Sequence, residues 1–340
     1  MNPGLKHAGM TERKQAWIDS PLSHTMNDAY RWMQQMRNGD FAAAWQISDR
    51  IFSSQSRWRS PDVPRHVQLV WNREPLANQR VLVRCYHGLG DTIQFIRYAP
   101  LLKKIAARVT IWAQPTLIPL LTFVDGIDEI LPLHDGTPEC AYDLDVEIME
   151  LPYVFRSTVE TIPATVPYIH VTPARLEPSL MKVGVVWRAG AWDPRRNVPF
   201  PLIRWLTGIR GVDFYALQLN PHRPEATPFK MVLTDTDVRA TAGVMAALDL
   251  VISIDSMPAH LAGALGIPTW TLLPESADWR WMQDRTDSPW YPTMRLFRQR
   301  RAGSWDRVIE NVADELVKVV GSKKSGSAPS LQIESKEINS

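Results

Sequence analysis

Apolar positions recur with two different periods along this chain, and the change from one to the other divides it. In the N-terminal stretch, Asn27-Asp28 caps a segment in which Tyr30, Trp32, Met33 and Met36 lead to Gly39. After Asp40, the residues Phe41, Ala44, Trp45, Ile51 and Phe52 share one face that only Ser48 interrupts. Both runs have helical spacing and together predict a helical hairpin. From Gln79 the pattern changes to short β-rich runs separated by helical ones. Strands are expected at Val81–Cys85, Val109–Ala113, Ile130–Leu133 and Tyr142–Val146, with helices from Thr92 and near Thr116–Phe123. Alternation of this kind predicts βαβ units and a largely parallel sheet.

The stretch Thr172-Pro173-Ala174-Arg175-Leu176-Glu177-Pro178-Ser179 is proline-rich and poor in apolar residues, so it reads as a linker. A second series follows, with strands at Val183–Trp187, Phe214–Leu217, Leu250–Ile254 and Thr269–Leu273 and helices at Leu202–Thr207, Ala242–Leu248 and Ala259–Leu265. Val308, Ile309, Val312, Leu316 and Val319 place one apolar face on a closing helix over Trp305–Val320. The expected fold class is therefore α/β, with two Rossmann-like lobes facing a cleft and a short N-terminal helical hairpin. The expected divisions are a helical region over 1–66, a first lobe over 67–172, a linker over 173–181, a second lobe with its closing helix over 182–320, and a disordered Ser- and Lys-rich tail over 321–340.

Composition supports this picture. A chain of 340 residues with 45% hydrophobic and 22% charged residues has the length for two domains and enough apolar side chains to pack them. The formal charge of +2 and the lack of long like-charge runs argue against a nucleic-acid partner. Cys85 and Cys140 are the only cysteines and lack the paired spacing of a zinc site or a disulfide framework, which suits a reducing compartment. Met1–Ser20 is polar, and no window of about 18 apolar residues follows, so a cytoplasmic protein without a transmembrane segment is expected, with peripheral membrane association left open. Most of the 14 tryptophans are expected in the core or at the domain interface.

Three loops could carry chemistry. Gly88-Leu89-Gly90-Asp91 lies where a strand gives way to a helix, the usual place for a ligand in an open α/β sheet. Its glycines permit a tight turn, and Asp91 can cap the helix or act as a base. Ile93 stands where a dinucleotide fingerprint needs its third glycine, which weakens an oxidoreductase reading. In the second lobe, Trp187-Arg188-Ala189-Gly190 leads to Asp193-Pro194-Arg195-Arg196-Asn197. These arginines could bind a diphosphate or simply lie in a solvated basic loop. The third loop, Asp255-Ser256-Met257-Pro258-Ala259-His260, opens a helix whose free amides could meet an anion; Asp255 and Ser256 could equally be caps, and His260 a packed helix residue.

Read together, these pieces resemble glycosyltransferase family 9, the heptosyltransferase group, and especially its members fused to tetratricopeptide repeats. The residues carrying the resemblance are Gly88–Phe95, Gly184–Trp187, Ala247–Ser256 with Ala259–Gly266, Asp278-Trp279-Arg280-Trp281 and Asp287–Pro292. The turn Arg37–Phe41 with its Ala-rich helix is similar to one tetratricopeptide unit, and an ordinary helical hairpin fits it as well.

The resemblance implies a GT-B fold and metal-independent, inverting transfer of a hexose or heptose from a nucleoside-diphosphate sugar to a glycan, lipid-linked sugar or protein hydroxyl. The nucleotide sugar is a substrate, and neither a cofactor nor a metal is implied. Asp91 matches the family's proposed general base, on an acceptor-side loop with Gly88, Leu89 and Gly90. Trp187, Arg188, Arg195, Arg196, Gln218, Asp255, Ser256, Met257 and His260 fall on the donor side. Arg195-Arg196-Asn197-Val198-Pro199 and the Met257 position depart from the family pattern, and Met257 is expected to narrow the phosphate site. Two other readings remain open: a catalytically degenerate GT-B binding or scaffold protein, and a nucleotide-sugar epimerase.

Overall fold

The computed structural model of the protein describes residues 21–54, 70–190, 193–218, 225, 227–233 and 237–325. Two separate parallel sheets organise it. The first contains β1 (Arg80–Arg84), β2 (Arg108–Ala113), β3 (Glu129–Pro132) and β4 (Leu144–Glu147) in the order β3-β2-β1-β4. The second contains β5 (Lys182–Val186), β6 (Asp213–Ala216), β7 (Met231–Val232), β8 (Leu250–Ile254), β9 (Thr269–Leu273) and β10 (Met294–Arg298) in the order β10-β9-β8-β5-β6-β7. The fold is thus mixed α/β with two parallel-sheet lobes.

Two inner strands of the second sheet are buried along their whole length. Every residue of β8 and β9 is buried, as parallel strands covered on both faces must be. In each sheet the chain leaves its first strand in one direction and later returns to that strand's other side. These reversals lie at β1/β4 and at β5/β8, where the carboxyl ends of the strands open a crevice for a ligand.

The helices, in chain order, are α1 (Pro21–Arg37), α2 (Phe41–Ser54), α3 (Leu89–Phe95), α4 (Ala99–Lys103), α5 (Ile118–Leu121), α6 (Leu151–Val154), α7 (Phe200–Leu206), α8 (Val238–Ala246), α9 (Met257–Ala264) and α10 (Trp305–Lys324). The α1–α2 hairpin turns at Gly39, whose φ of 79° favours glycine, and Asp40 Oδ1 accepts from the Ala43 amide to cap α2. The hairpin touches both lobes. Trp45 Nε1 donates to Ser157 O at 2.7 Å on the first lobe. On the second, Trp32 and Phe41 meet Trp279 edge-on, and the Gln283 amide donates to Arg37 O at 2.8 Å.

Several expectations need correction. The first helix begins at Pro21, ahead of the cap expected at Asn27-Asp28, and the helix expected from Thr92 begins at Leu89. β7 and β10 were not expected: β7 has two residues, and β10 carries Arg295 and Arg298 among five, which blurs the strand signal. The last helix runs to Lys324, so the start of the expected disordered tail is helical. Lys323 Nζ holds that turn onto Asp249 Oδ1 at 2.7 Å. Residues 1–20, 55–69 and 326–340, which belong to the expected N-terminal region, the first three positions of the expected first lobe and the expected tail, lie outside the described residues. No described helix is long and apolar enough to cross a membrane.

Candidate active site

The first-lobe loop is built at the carboxyl end of β1. Gly88 is the N-cap of α3, so Asp91 sits inside the first turn and not at the cap. Its Oδ2 reaches back to accept from the Gly88 amide at 2.9 Å, which satisfies an otherwise unpaired donor at the helix start. Gln114, just after β2, braces the loop from behind: its Nε2 donates to His87 O at 2.8 Å, and its Oε1 accepts from Thr92 Oγ1 at 2.9 Å. Leu89 is half-buried and packs against the core.

Across the β1/β4 crevice, His87 Nε2 lies 3.6 Å from Glu147 Oε2. Glu147 is buried, accepts from the Met149 amide, and has an Oε1 without a partner among the described residues. Burial pushes its carboxyl well above the usual range, reinforced by Glu150 and Asp91. Burial likewise pushes Glu150 up to about 7, although it accepts from the amides of Val70, Trp71 and Glu147.

The second lobe presents the ends of β5 and β8. Arg196 Nη1 donates to Asp255 O at 2.8 Å and so ties the two sides of that crevice together. Arg195 turns away and pairs with Asp193 on its own exposed turn. It also helps line a pocket of about 180 Å³ with Asn197, Glu275 and Gln299. The Arg188 amide donates to Gln218 Oε1 at 2.9 Å, and its guanidinium pairs with Glu225 at 3.2 Å. Trp187, expected on the donor side, is only 1% exposed and stacks on Phe229 at 5.4 Å, so its indole packs the core of the lobe. Residues 191–192 and 219–224, which continue the loops after β5 and β6, lie outside the described residues.

Ser256 is the N-cap of α9, yet its hydroxyl bonds to Ile254 O and not to the helix amides; Met257 and Pro258 form the first turn. His260 is 3% exposed, stacks on Trp281 at 5.3 Å and lies 3.0 Å from the Tyr291 hydroxyl through Nδ1. Burial, reinforced by the nearby Arg280 charge, depresses its imidazole to about 3, so it is neutral near pH 7. Burial and the neighbouring Asp278 push Asp255 up to about 6, against the pull of Arg280 and Arg196.

The two crevices meet where α3 packs on α9. A Cβ on Gly90 would lie 2.8 Å from His260 Cδ2 and 3.4 Å from Met257 Cα, so the close approach of the lobes depends on that glycine. At the same junction Arg280 Nη1 donates to Asp91 Oδ1 at 2.8 Å and to Gln94 Oε1 at 2.9 Å, while its Nε donates to Asp278 Oδ1 at 2.9 Å. Burial pulls the Asp91 carboxyl upward, but the charge and hydrogen bond of Arg280 outweigh it and hold Asp91 below its ordinary value. A carboxylate offers about four lone-pair positions. The Gly88 amide and Arg280 occupy two of those on Asp91, and the side chain remains 19% exposed.

Sequence reasoning assigned no role to Arg280, Glu147, Gln94 or Tyr291, and placed His87 only as the residue that opens the Gly88–Asp91 loop. Arg280 carried a signal, because it lies in the Asp278–Trp281 segment that contributes to the family resemblance. Glu147 carried a weaker one, as an acid at the end of an apolar strand. His260 and Tyr291 are far apart in the chain, and only the packing of α9 brings them together.

Residues 216–316, from the end of β6 into α10, match the model of glycosyltransferase family 9 (heptosyltransferase). Among solved structures, the fold is similar to a family 9 glycosyl transferase from Veillonella parvula, at 13% identity and a TM-score of 0.52, covering 75% of this chain and 99% of that one. It is also similar to the ADP-heptose lps heptosyltransferase II of E. coli, at 14% identity and a TM-score of 0.53, covering 72% of this chain and 99% of that one. At these identities the likeness is one of fold, the GT-B arrangement. A curated relative, Protein FlbA of Caulobacter vibrioides, is 25% identical over 293 residues; the match takes in 72% of this chain and 48% of the relative, so this chain spans about half of that protein's length.

Proposed function

We propose that this chain is a glycosyltransferase that moves a hexose or heptose from a nucleoside-diphosphate sugar to a hydroxyl of a glycan, a lipid-linked sugar or a protein, in the cytoplasm, without a metal and with inversion. One observation carries the reading: Asp91 of the first lobe meets Arg280, His260 and the neighbourhood of Asp255 where the two crevices converge. In the proposed reaction the acceptor hydroxyl donates to a free lone pair of Asp91, which takes its proton as the oxygen attacks the anomeric carbon. Arg196 and Arg280 bring positive charge to the departing diphosphate, which needs no cation beyond these guanidiniums. Asp255, Ser256, Met257 and the Arg188–Gln218 pair border the donor.

The decisive experiment couples a panel of nucleoside-diphosphate sugars to Asp91→Asn. Transfer is expected to fall by roughly 10²-fold or more, the scale of general-base catalysis, while donor binding is retained. Full transfer by the variant would remove Asp91 from the mechanism. A specific observation favours a second reading, a binding module without transfer: both oxygens of Asp91 already have partners. That reading predicts donor binding without turnover in the wild type and no effect of Asp91→Asn on any product.

A further inference from the structure

The pair Arg280–Asp91 is the one ion pair between the two lobes among the described residues. Its geometry leaves the backbone fixed and the side chain to span the junction. The Arg280 amide donates to Asp278 Oδ1 at 3.1 Å and its carbonyl accepts from Trp290 Nε1 at 3.0 Å, so the peptide is held inside the second lobe. Only the guanidinium reaches into the first lobe, to Asp91 and Gln94. Asp91, Asp278 and Asp255 all act on Arg280, and Arg196, bonded to the Asp255 carbonyl, is a second guanidinium at the end of β8. A diphosphate entering this crevice adds further negative charge beside Arg280, yet that guanidinium is paired with Asp91. The same pairing holds Asp91 below its ordinary carboxylate value and makes it a poor proton acceptor.

We propose that Arg280 is a positioning residue shared in turn between Asp91 and the donor's diphosphate, so that donor binding draws the guanidinium away and frees Asp91 to act as base. This rests on the glycosyltransferase reading above. With the donor absent, Arg280 keeps the base quenched. With the donor in place, the acceptor oxygen bonds to the anomeric carbon as the bond from that carbon to the phosphate oxygen breaks with its electron pair. The hydroxyl proton then passes to the released Asp91. The arrangement makes the base competent only when a donor is bound.

The test is binding of ADP, UDP and GDP to the full chain by calorimetry, in the wild type, Asp91→Asn, Arg280→Gln and Arg280→Lys, with melting curves to establish that each variant is folded. Asn keeps an oxygen for the Gly88 amide but removes the charge that competes for Arg280. Asp91→Asn should therefore bind the preferred nucleoside diphosphate more tightly, by about three- to tenfold, and Arg280→Gln more weakly by about tenfold or more, the scale of a charge-assisted contact. Arg280→Lys should recover part of that loss. A purely structural ion pair would not make Asp91→Asn bind tighter. Equal or weaker binding by Asp91→Asn, or wild-type affinity in Arg280→Gln, overturns the shared-guanidinium proposal and leaves the glycosyltransferase reading standing. Failure of the wild type to bind any of the three overturns both. If Asp91→Asn does not fold, the order wild type, Lys, Gln in affinity carries the decision.

Discussion

Two residues at the lobe junction show how local chemistry constrains the whole. Gly90 is required by proximity, since its missing Cβ makes room for His260 and the backbone of Met257. Gly90→Ala should destabilise the protein by about 1–3 kcal/mol through overpacking, read as a lower denaturation midpoint. His260 sets part of the pH response. Its folded value of about 3 lies below the ordinary value of about 6.5, so between these the unfolded chain binds the extra proton and stability is lost as pH falls. Asp255 acts in the opposite sense: at about 6 when folded against 3.8, its contribution is lost as pH rises through that window. Replacing His260 by Gln should flatten the acid-side decline of stability between pH 4 and 6 by up to about 1.4 kcal/mol per pH unit, followed by urea titration at each pH. An unchanged slope would mean that the imidazole titrates freely.

At the level of elements, the N-terminal hairpin acts as a brace. Trp45 packs on Tyr153 of α6, and Phe41 lies against Trp279 and Trp290, the residues that flank and support Arg280. Truncating either ring removes a large buried area: Trp45→Ala or Phe41→Ala should cost about 3–5 kcal/mol, measured by thermal or chemical unfolding. Phe41→Ala should also lower transfer more than an equally destabilising change in α10, because it loosens the segment that carries Arg280. The elements themselves were largely legible in the residue pattern. β8 and β9 fall where their short β-rich runs place them. The helix boundaries shifted because turns such as Gly88-Leu89 and Gly321–Lys324 are decided by caps and tertiary contacts, for which apolar spacing is silent.

For the whole molecule, the contact between lobes includes buried polar groups. Arg97, 3% exposed, donates to the carbonyls of Gln94 and Trp290 and to the Tyr168 hydroxyl, and lies over the ring of Tyr291 at 4.4 Å. An apolar replacement of similar length would leave those acceptors buried without a donor. Arg97→Met should therefore lower stability by about 2–5 kcal/mol, seen as a reduced denaturation midpoint. The donor should act in the opposite direction on the same assembly. At about 100 times its dissociation constant it should add about 2.7 kcal/mol to unfolding, and no nucleoside diphosphate should do so if the crevice at β5/β8 is not a donor site.

The sequence alone determined the alternation that makes two parallel sheets, the strand ends where glycine, acid and arginine gather, and the place of Asp91 at a strand-to-helix junction. These are local properties, written in periodicity and turn chemistry within a few residues of each other. Only the tertiary structure decided that Asp91 lies inside the first turn of α3 and meets Arg280, that His260 is a neutral ring between Trp281 and Tyr291, and that Trp187 belongs to the core. Those facts join residues from opposite lobes or from distant turns. Their energies depend on burial and on charges brought close by packing, which no spacing along the chain encodes.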